Sequence, residues 1–203
     1  MKVYEAEHKI KETSIEKALL EANAIISEVF YRTKEVESGL LKKIKFRTYV
    51  ITKHDVKEEI NNYFNELSKN MNLKISNIVD IEENIIKIKL DSDNNSILIG
   101  KDGKTLKSIE LLLKQNIFIN SGFSFKVNID ISDYKEKRVR NLEFQVEKIA
   151  KEVLESKIDA KLDPMNSYER RIAHTVITKH ENLVTKSTGE EPNRYIVISY
   201  KKD

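Results

Sequence analysis

The stretch Asn94-Asn95-Ser96-Ile97-Leu98-Ile99-Gly100-Lys101-Asp102-Gly103-Lys104-Thr105-Leu106 joins two apolar helical runs through a pair of glycines three residues apart. The whole chain has five glycines, and two of them stand here, between Ile97/Ile99 and the periodic run Leu106, Ile109, Leu112, Leu113. Glycine lets a backbone approach another group closely. The first turn of the second helix presents N–H groups beside Lys101, Lys104 and Lys107, a concentration of positive potential that suits a phosphate. The ligand this implies is a nucleic-acid backbone.

Two other motifs nearly fit. Gly103-Lys104-Thr105 imitates the end of a phosphate-binding P-loop, but that loop needs a glycine five residues earlier, where this chain has Leu98. Asp91, Asp93 and Asn95 have the alternate spacing of a calcium loop, yet Ser96 stands at the turn glycine and Asp102 at the closing glutamate. Nucleotide hydrolysis and calcium are both set aside.

With 203 residues, 39% hydrophobic and 34% charged, the composition suggests two or three small domains rather than one large core. The net charge is only +3, so any nucleic-acid surface must be local. Basic residues number 11 against 8 acidic in residues 1–54, 10 against 12 in 55–132, and 15 against 13 in 133–203. The glycine step therefore lies in a slightly acidic segment, which leaves its lysines as a focused, salt-sensitive patch. Cysteine is absent, which excludes disulfides, thiolate catalysis and cysteine-ligated zinc. No window has the length or apolarity of a signal peptide or membrane span, so the expected place is the cytoplasm, with no membrane insertion.

Along the chain, residues 3–10 read as a strand and Thr13-x-x-Glu16 as a capping box opening a helix to about Ala24, with Ile15, Ala18, Leu19, Ala22 and Ile26 at helical spacing. Strands at 28–36 and 44–52 complete a βαββ unit, whose turn side carries Lys42, Lys43, Lys45 and Arg47, most simply a solvated strand end. A second capping box, Asp55-x-x-Glu58, opens a helix burying Val56, Ile60, Tyr63, Phe64 and Leu67. A hairpin over 73–90 follows, with Ile86, Ile88 and Leu90 on one face and Lys87 and Lys89 on the other, and after the glycine step and its helix a strand at 124–131.

The order αββ, short helix, Gly-x-x-Gly, helix, β, with Ile99-Gly100-Lys101-Asp102-Gly103 between two helices, resembles a type II KH domain. KH domains bind single-stranded RNA or DNA, the loop clamping a four-nucleotide backbone beside an apolar groove for the bases. By that resemblance Gly100, Lys101, Asp102, Gly103, Lys104 and Lys107 contact the strand, and Ile97, Ile99, Leu106 and Ile109 line the groove. Some KH domains serve as dimer surfaces instead, a use that the carboxylate of Asp102 between the glycines favours.

A long helix over 133–157 opens the last segment, with Lys135, Lys137, Arg138 and Arg140 crowding its first turns as either a phosphate patch or a solvated face. Asn166-x-x-Glu169 is a third capping box, opening the helix that carries Arg170, Arg171 and His174. Arg170 and His174, four apart, project from one helical face, where a guanidinium can grip phosphate and an imidazole can donate or stack. Short strands at 183–187 and 194–200 flank Gly189-Glu190-Glu191-Pro192-Asn193-Arg194. Arg170-x-x-x-His174 with these flanking runs resembles the R-three-H domain, a small α/β fold that binds single-stranded nucleic acid, and Arg194 joins the same patch.

A small N-terminal domain, KH and R-three-H in that order resemble the Jag family, also called SpoIIIJ-associated or KhpB-like proteins, over the whole chain. The resemblance implies an α+β protein of three small α/β domains in tandem, 1–54, 55–132 and 133–203. These are the βαββ unit, a KH domain with a three-stranded sheet, and an R-three-H domain with a short sheet and two helices. It also implies a bacterial single-stranded RNA-binding protein acting as RNA chaperone or post-transcriptional regulator, a link to cell elongation and envelope growth, and pairing with a small single-KH protein or self-association. The chain departs from the family at Ser38-Gly39-Leu40-Leu41-Lys42-Lys43, where a Lys-Lys-Gly-Phe-Phe-Gly-like turn is usual.

No enzyme is expected, and no cofactor or metal: His8, His54, His174 and His180 do not form a ligand set, and no nucleophile converges with a base. The alternative is a protein-interaction adaptor, with the KH domain used for dimerisation and the N-terminal domain for docking.

Overall fold

A computed structural model describes residues 1–38 and 43–201, so Gly39 to Lys42, the centre of the divergent turn, lie outside the described residues. The fold is α+β, built on three-stranded sheets. Contacts divide it into two compact units, Met1–Ser132 and Asp133–Asp203.

The first unit begins with β1 (Tyr4–His8), α1 (Lys11–Ala22), β2 (Val29–Ser38) and β3 (Lys43–Thr52), an antiparallel sheet of order β1-β3-β2 with α1 against it. Its core is made of small residues, Ala6, Ala18, Ala22, Val29 and Val50, which let α1 lie close to the strands. The hydroxyls buried beneath α1 satisfy one another: Ser14 Oγ is 2.6 Å from Thr48 Oγ1, which is 2.9 Å from Thr33 Oγ1. The expected Thr13/Glu16 capping box does not form. Because the Ser14 N–H already bonds the Ile10 carbonyl, Thr13 lies inside the first turn and Ile10 takes the cap position without a side-chain bond. Ile26, expected on the α1 stripe, lies past the helix in a 3-10 turn and is exposed. Lys45 and Arg47 both pair with Glu7 across the sheet, as a solvated strand end would.

β3 runs directly into α2 (Lys53–Met71): Thr52, the last strand residue, is also the N-cap. Its Oγ1 accepts the Asp55 N–H at 2.9 Å, and Asp55 Oδ2 accepts the Thr52 N–H at 3.4 Å. The capping box is thus Thr52/Asp55, and Asp55, expected as the cap, is its third helical residue. Next come β4 (Ile75–Glu82), β5 (Ile85–Ser92), α3 (Asn95–Ile99), α4 (Lys104–Ser121) and β6 (Lys126–Ile131). The sheet order is β4-β5-β6, with β4 antiparallel and β6 parallel to β5. A parallel pair requires a crossover, and here the crossover is α3, the glycine step and α4. Ile86, Ile88 and Leu90 of β5 are buried with Val56, Ile60 and Phe64 of α2 and Leu106, Ile109, Leu113 and Ile117 of α4. Leu112, expected on that buried run, is 54% exposed. One helical turn on from Ile109, the inward place falls to Leu113 instead.

The second unit comprises α5 (Tyr134–Ser156), β7 (Ala160–Lys161), α6 (Ser167–Ile177), β8 (Leu183–Thr188) and β9 (Tyr195–Tyr200), with sheet order β7-β9-β8, all antiparallel. Val146, Ala150 and Val153 of α5 and Ala173, Val176 and Ile177 of α6 bury themselves against Leu162, Leu183, Ile196 and Ile198. Both helices therefore occupy one face of the sheet. The expected Asn166/Glu169 capping box is formed.

Candidate nucleic-acid interface

The glycine step takes its shape from backbone that side chains rarely adopt. Gly100 sits at φ +68°, its N–H bonded to the Ser96 carbonyl at 2.8 Å, and a Cβ there would lie 2.1 Å from Thr105 Oγ1. Asp102 and Gly103 also have positive φ, 55° and 73°, and the Gly103 N–H bonds the Gly100 carbonyl at 3.2 Å. Here α4 differs from α2 and α6: those helices close their first turns with capping boxes, whereas α4 has no side-chain cap and no acidic residue in its first turn. The Lys104 N–H that opens α4 bonds back to the Lys101 carbonyl, and the helix start lies beside the exposed Lys101, Lys104 and Lys107, where its dipole adds to their positive potential.

Of the groove residues expected from the sequence, Ile97 is 45% exposed and Ile99 half-buried, whereas Leu106 and Ile109 are 2% and 4% exposed. The last two form the packed floor, and only Ile97 and Ile99 offer apolar surface beside the loop. Asp102 is exposed at the loop's apex and interacts with a neighbouring group.

In the second unit the structure separates residues that the sequence placed together. Arg170 turns inward: at 9% exposed, its Nη1 donates to the Met165 carbonyl at 2.6 Å and its Nη2 to Glu191 Oε1 at 2.8 Å. It pins the turn before α6 and the turn before β9 to the helix. His174, one turn on, is exposed and its Nδ1 lies 2.6 Å from Thr185 Oγ1 of β8. Two residues along β8, Ser187 Oγ accepts from Arg194 Nε at 2.9 Å. Alternate strand residues share a face, so His174/Thr185 and Ser187/Arg194 stand side by side. Arg171 is exposed, and among the described residues neither it nor Arg194 is ion-paired.

The basic start of α5 is also partly accounted for. Arg138 pairs through Nε with Glu169 and donates to Tyr134 Oη at 3.2 Å; burial lowers the guanidinium's pKa, and the hydrogen bond and charge of Glu169 more than reverse this. Arg140 pairs with Glu136 at 3.2 Å on the exposed face. Glu169 thus caps α6 through the Asn166 N–H and holds α5 through Arg138.

Sequence reasoning passed over Tyr168, which is 63% exposed. It precedes Arg171 by three positions, so ring and guanidinium share the outer face of α6. An aromatic at that spacing from an exposed arginine was the signal available.

Comparison with known proteins identifies the two domains that carry these residues. A family model described as KhpA/KhpB, KH domain matches residues 57–131, and the model of the R-three-H domain matches residues 140–200. A protein of Clostridium symbiosum named RNA-binding protein KhpB is 30% identical over 200 residues, covering 96% of this chain and 90% of that protein. The chain belongs to the KhpB family. The KhpB protein of Streptococcus pneumoniae strain D39 is 29% identical over 192 residues, and that of Bacillus subtilis 34% over 119 residues. The alignments cover 58% and 57% of those two relatives' lengths. The family match places the glycine step within the KH segment and Arg170, Arg171, His174 and Arg194 within the R-three-H segment. The family is one of KH and R-three-H domains rather than of an enzyme fold. Among the described residues no helix is long and apolar enough to cross a membrane.

Proposed function

We propose that this chain binds single-stranded RNA at two places, the Gly100–Gly103 loop and the outer surface of α6 with the adjoining end of β8 and β9. The observation that carries the reading is the start of α4: no side-chain cap, no acid in its first turn, and three exposed lysines around a loop whose Gly100 leaves no room for a side chain. Phosphates fit the loop, with Lys101, Lys104 and Lys107 around them, and bases fit against Ile97 and Ile99. Arg171, His174, Arg194 and Tyr168 form the second contact, and Arg170 shapes it from beneath. The division follows three modules, 1–54, 55–132 and 133–203, the first two packed into one unit. The cellular role is that of a cytoplasmic RNA chaperone or post-transcriptional regulator serving cell elongation and envelope growth. RNA cleavage is not part of this reading.

Fluorescence anisotropy with a short single-stranded RNA over a salt series tests it. Lys101→Gln/Lys104→Gln and Arg171→Ala/Arg194→Ala each weaken binding and flatten the dependence of log K on log salt, by about 0.7 for each lost phosphate contact. Glycine substitutions are unsuitable here, because a side chain at Gly100 collides with Thr105. No binding by the wild type, or variants that bind as it does, removes the RNA reading.

A second reading is favoured by an apolar stripe on α4, where Leu111, Leu112, Phe118 and Ile119 are all more than half exposed. This face suits pairing with a small single-KH protein or with a second copy, as an adaptor would require. Sedimentation velocity of wild type and Leu112→Glu, alone and mixed with such a protein, distinguishes a pairing face from a bare one.

A further inference from the structure

The face of the β7-β9-β8 sheet that α5 and α6 leave bare carries its own pattern. β9 buries Ile196 and Ile198 against the helices, so Tyr195, Val197 and Ser199 point the other way. In register, Val197 stands between Lys161 of β7 and Lys186 of β8, Tyr195 stands opposite Thr188, and Ser199 opposite Val184. Lys161 and Lys186 are exposed, Val184 is 42% exposed, and Lys201, just past β9 on the same alternation, is exposed too.

No acidic residue occurs within β7, β8 or β9, but Asp159 and Asp163 flank Lys161 at two-residue spacing, and since the Leu162 N–H bonds the Ile196 carbonyl, Asp163 falls beside Tyr195 at the β7 edge of this face. The other two sheets differ in this respect. β1, β2 and β3 interleave Glu5, Glu7, Glu35 and Glu37 with their bases, and the exposed side of β4, β5 and β6 includes Asp80 and Asp91 beside Lys87 and Lys89. A Cβ on Gly189, which has φ +87°, would lie 3.5 Å from Tyr195 Cε1, so the turn before β9 passes close to the ring.

We infer that this open sheet face is a further RNA surface, on the side of the second unit opposite α6. Bases lie on Tyr195, Val197 and Val184, and phosphates meet Lys161, Lys186 and Lys201. The arrangement combines an aromatic platform with cations on the flanking strands, its carboxylates, Asp159 and Asp163, confined to the β7 edge, which suits a single-stranded nucleic-acid surface running toward β8 and Lys201. It rests on the RNA reading given above and adds a site to it. A strand that occupies both faces of the second unit must pass around the edge of the sheet, so a longer RNA should engage more cations than a short one.

The test uses the full chain and single-stranded RNAs of increasing length carrying 5-iodouridine. Lys161→Gln/Lys186→Gln, both at exposed positions, should lower the salt slope by about 0.7 per lysine for the longer RNA and add to the effect of Lys101→Gln/Lys104→Gln. Tyr195→Leu, once shown folded by circular dichroism, should weaken binding at least about fivefold, and photocrosslinks should map to Tyr195 in the wild type. If Lys101→Gln/Lys104→Gln weakens binding while Lys161→Gln/Lys186→Gln leaves affinity and slope unchanged and no crosslink reaches β8 or β9, this face is not an RNA surface and the main reading survives. Failure of the wild type to bind any RNA overturns both.

Discussion

Arg170 and Arg171 are neighbours in sequence with opposite tasks. The Arg170 guanidinium, buried between the Met165 carbonyl and Glu191, ties two turns to α6, and its charged hydrogen bonds are the kind that contribute about 1.5–3 kcal/mol each. Arg170→Ala should therefore lower the stability of the second unit by about 2 kcal/mol, with some saving because Glu191 is exposed and can be rehydrated. Arg171→Ala, which removes an exposed side chain in no hydrogen bond or ion pair among the described residues, should stay within about 0.5 kcal/mol of wild type and weaken RNA binding instead. Urea denaturation followed by circular dichroism separates the two, and equal stability losses would contradict this division of labour. Gly100 is the counterpart in the first unit: its φ of +68° and the 2.1 Å approach of a Cβ to Thr105 mean that Gly100→Ala should cost about 1–3 kcal/mol. A measured change near zero would show that the loop relaxes freely and is not fixed by its glycine.

Helix starts show what the sequence could and could not disclose. All three capping-box motifs pointed to real helices, and the Asn166/Glu169 box formed as read. The other two helices begin two residues before the expected cap, for different reasons. At α2, Thr52 serves strand and helix at once, and strand patterning gives no hint that a β-branched threonine ending β3 also caps. At α1, Ser14 is drawn into the buried hydroxyl chain with Thr48 and Thr33, a contact 34 residues away in sequence that no local motif encodes. The alternation in β5 and the spacing in α4 exposed the KH core because period-2 and period-3.6 patterns are local. The partnership of Arg170 with Glu191 was hidden because helical spacing says which residues share a face, not which side chain bends inward to a distant carboxylate. Thr52→Ala should cost about 0.5–2 kcal/mol by opening the box at α2, whereas Thr13→Ala, at the box that does not form, should cost far less. Thermal melts of the two variants would reverse order if the sequence motif rather than the observed cap were decisive.

The first unit behaves as one body because the βαββ sheet and the KH fold share side chains. Phe30 packs edge-on to Phe125 at 4.7 Å between ring centroids, and the Arg32 guanidinium lies between the Tyr49 and Phe123 rings, 5.0 and 5.2 Å from their centroids. Arg32 Nε is buried without a hydrogen-bond partner, so the arginine acts through its stem and its charge over the rings. Glu59 of α2 adds a charged link by accepting from Asn116 at 2.8 Å, Asn120 at 2.7 Å and the Met1 ammonium at 3.1 Å. Burial works to raise the pKa of this carboxyl, but its three hydrogen-bond donors outweigh burial and hold it below the usual carboxylate range. A carboxylate with a depressed folded-state pKa stabilises fully above its unfolded pKa and loses that contribution as pH falls through the folded value. The stability difference between wild type and Glu59→Gln should consequently be greatest near neutrality and shrink below the ordinary carboxylate range. Melting temperatures between about pH 7 and pH 3 measure it, and a difference independent of pH would mean that the ionised form carries no linkage. Phe30→Ala should act at the same junction without any pH dependence, since it removes an aromatic contact worth about 0.5–1.5 kcal/mol beyond its burial. Hydrogen exchange in the full chain locates the effect: protection should fall together in β2 and around Phe123 to Phe125, while β8 and β9 of the second unit keep theirs. Loss confined to β2 alone would show that the two sheets of the first unit unfold independently and that the shared side chains do not couple them.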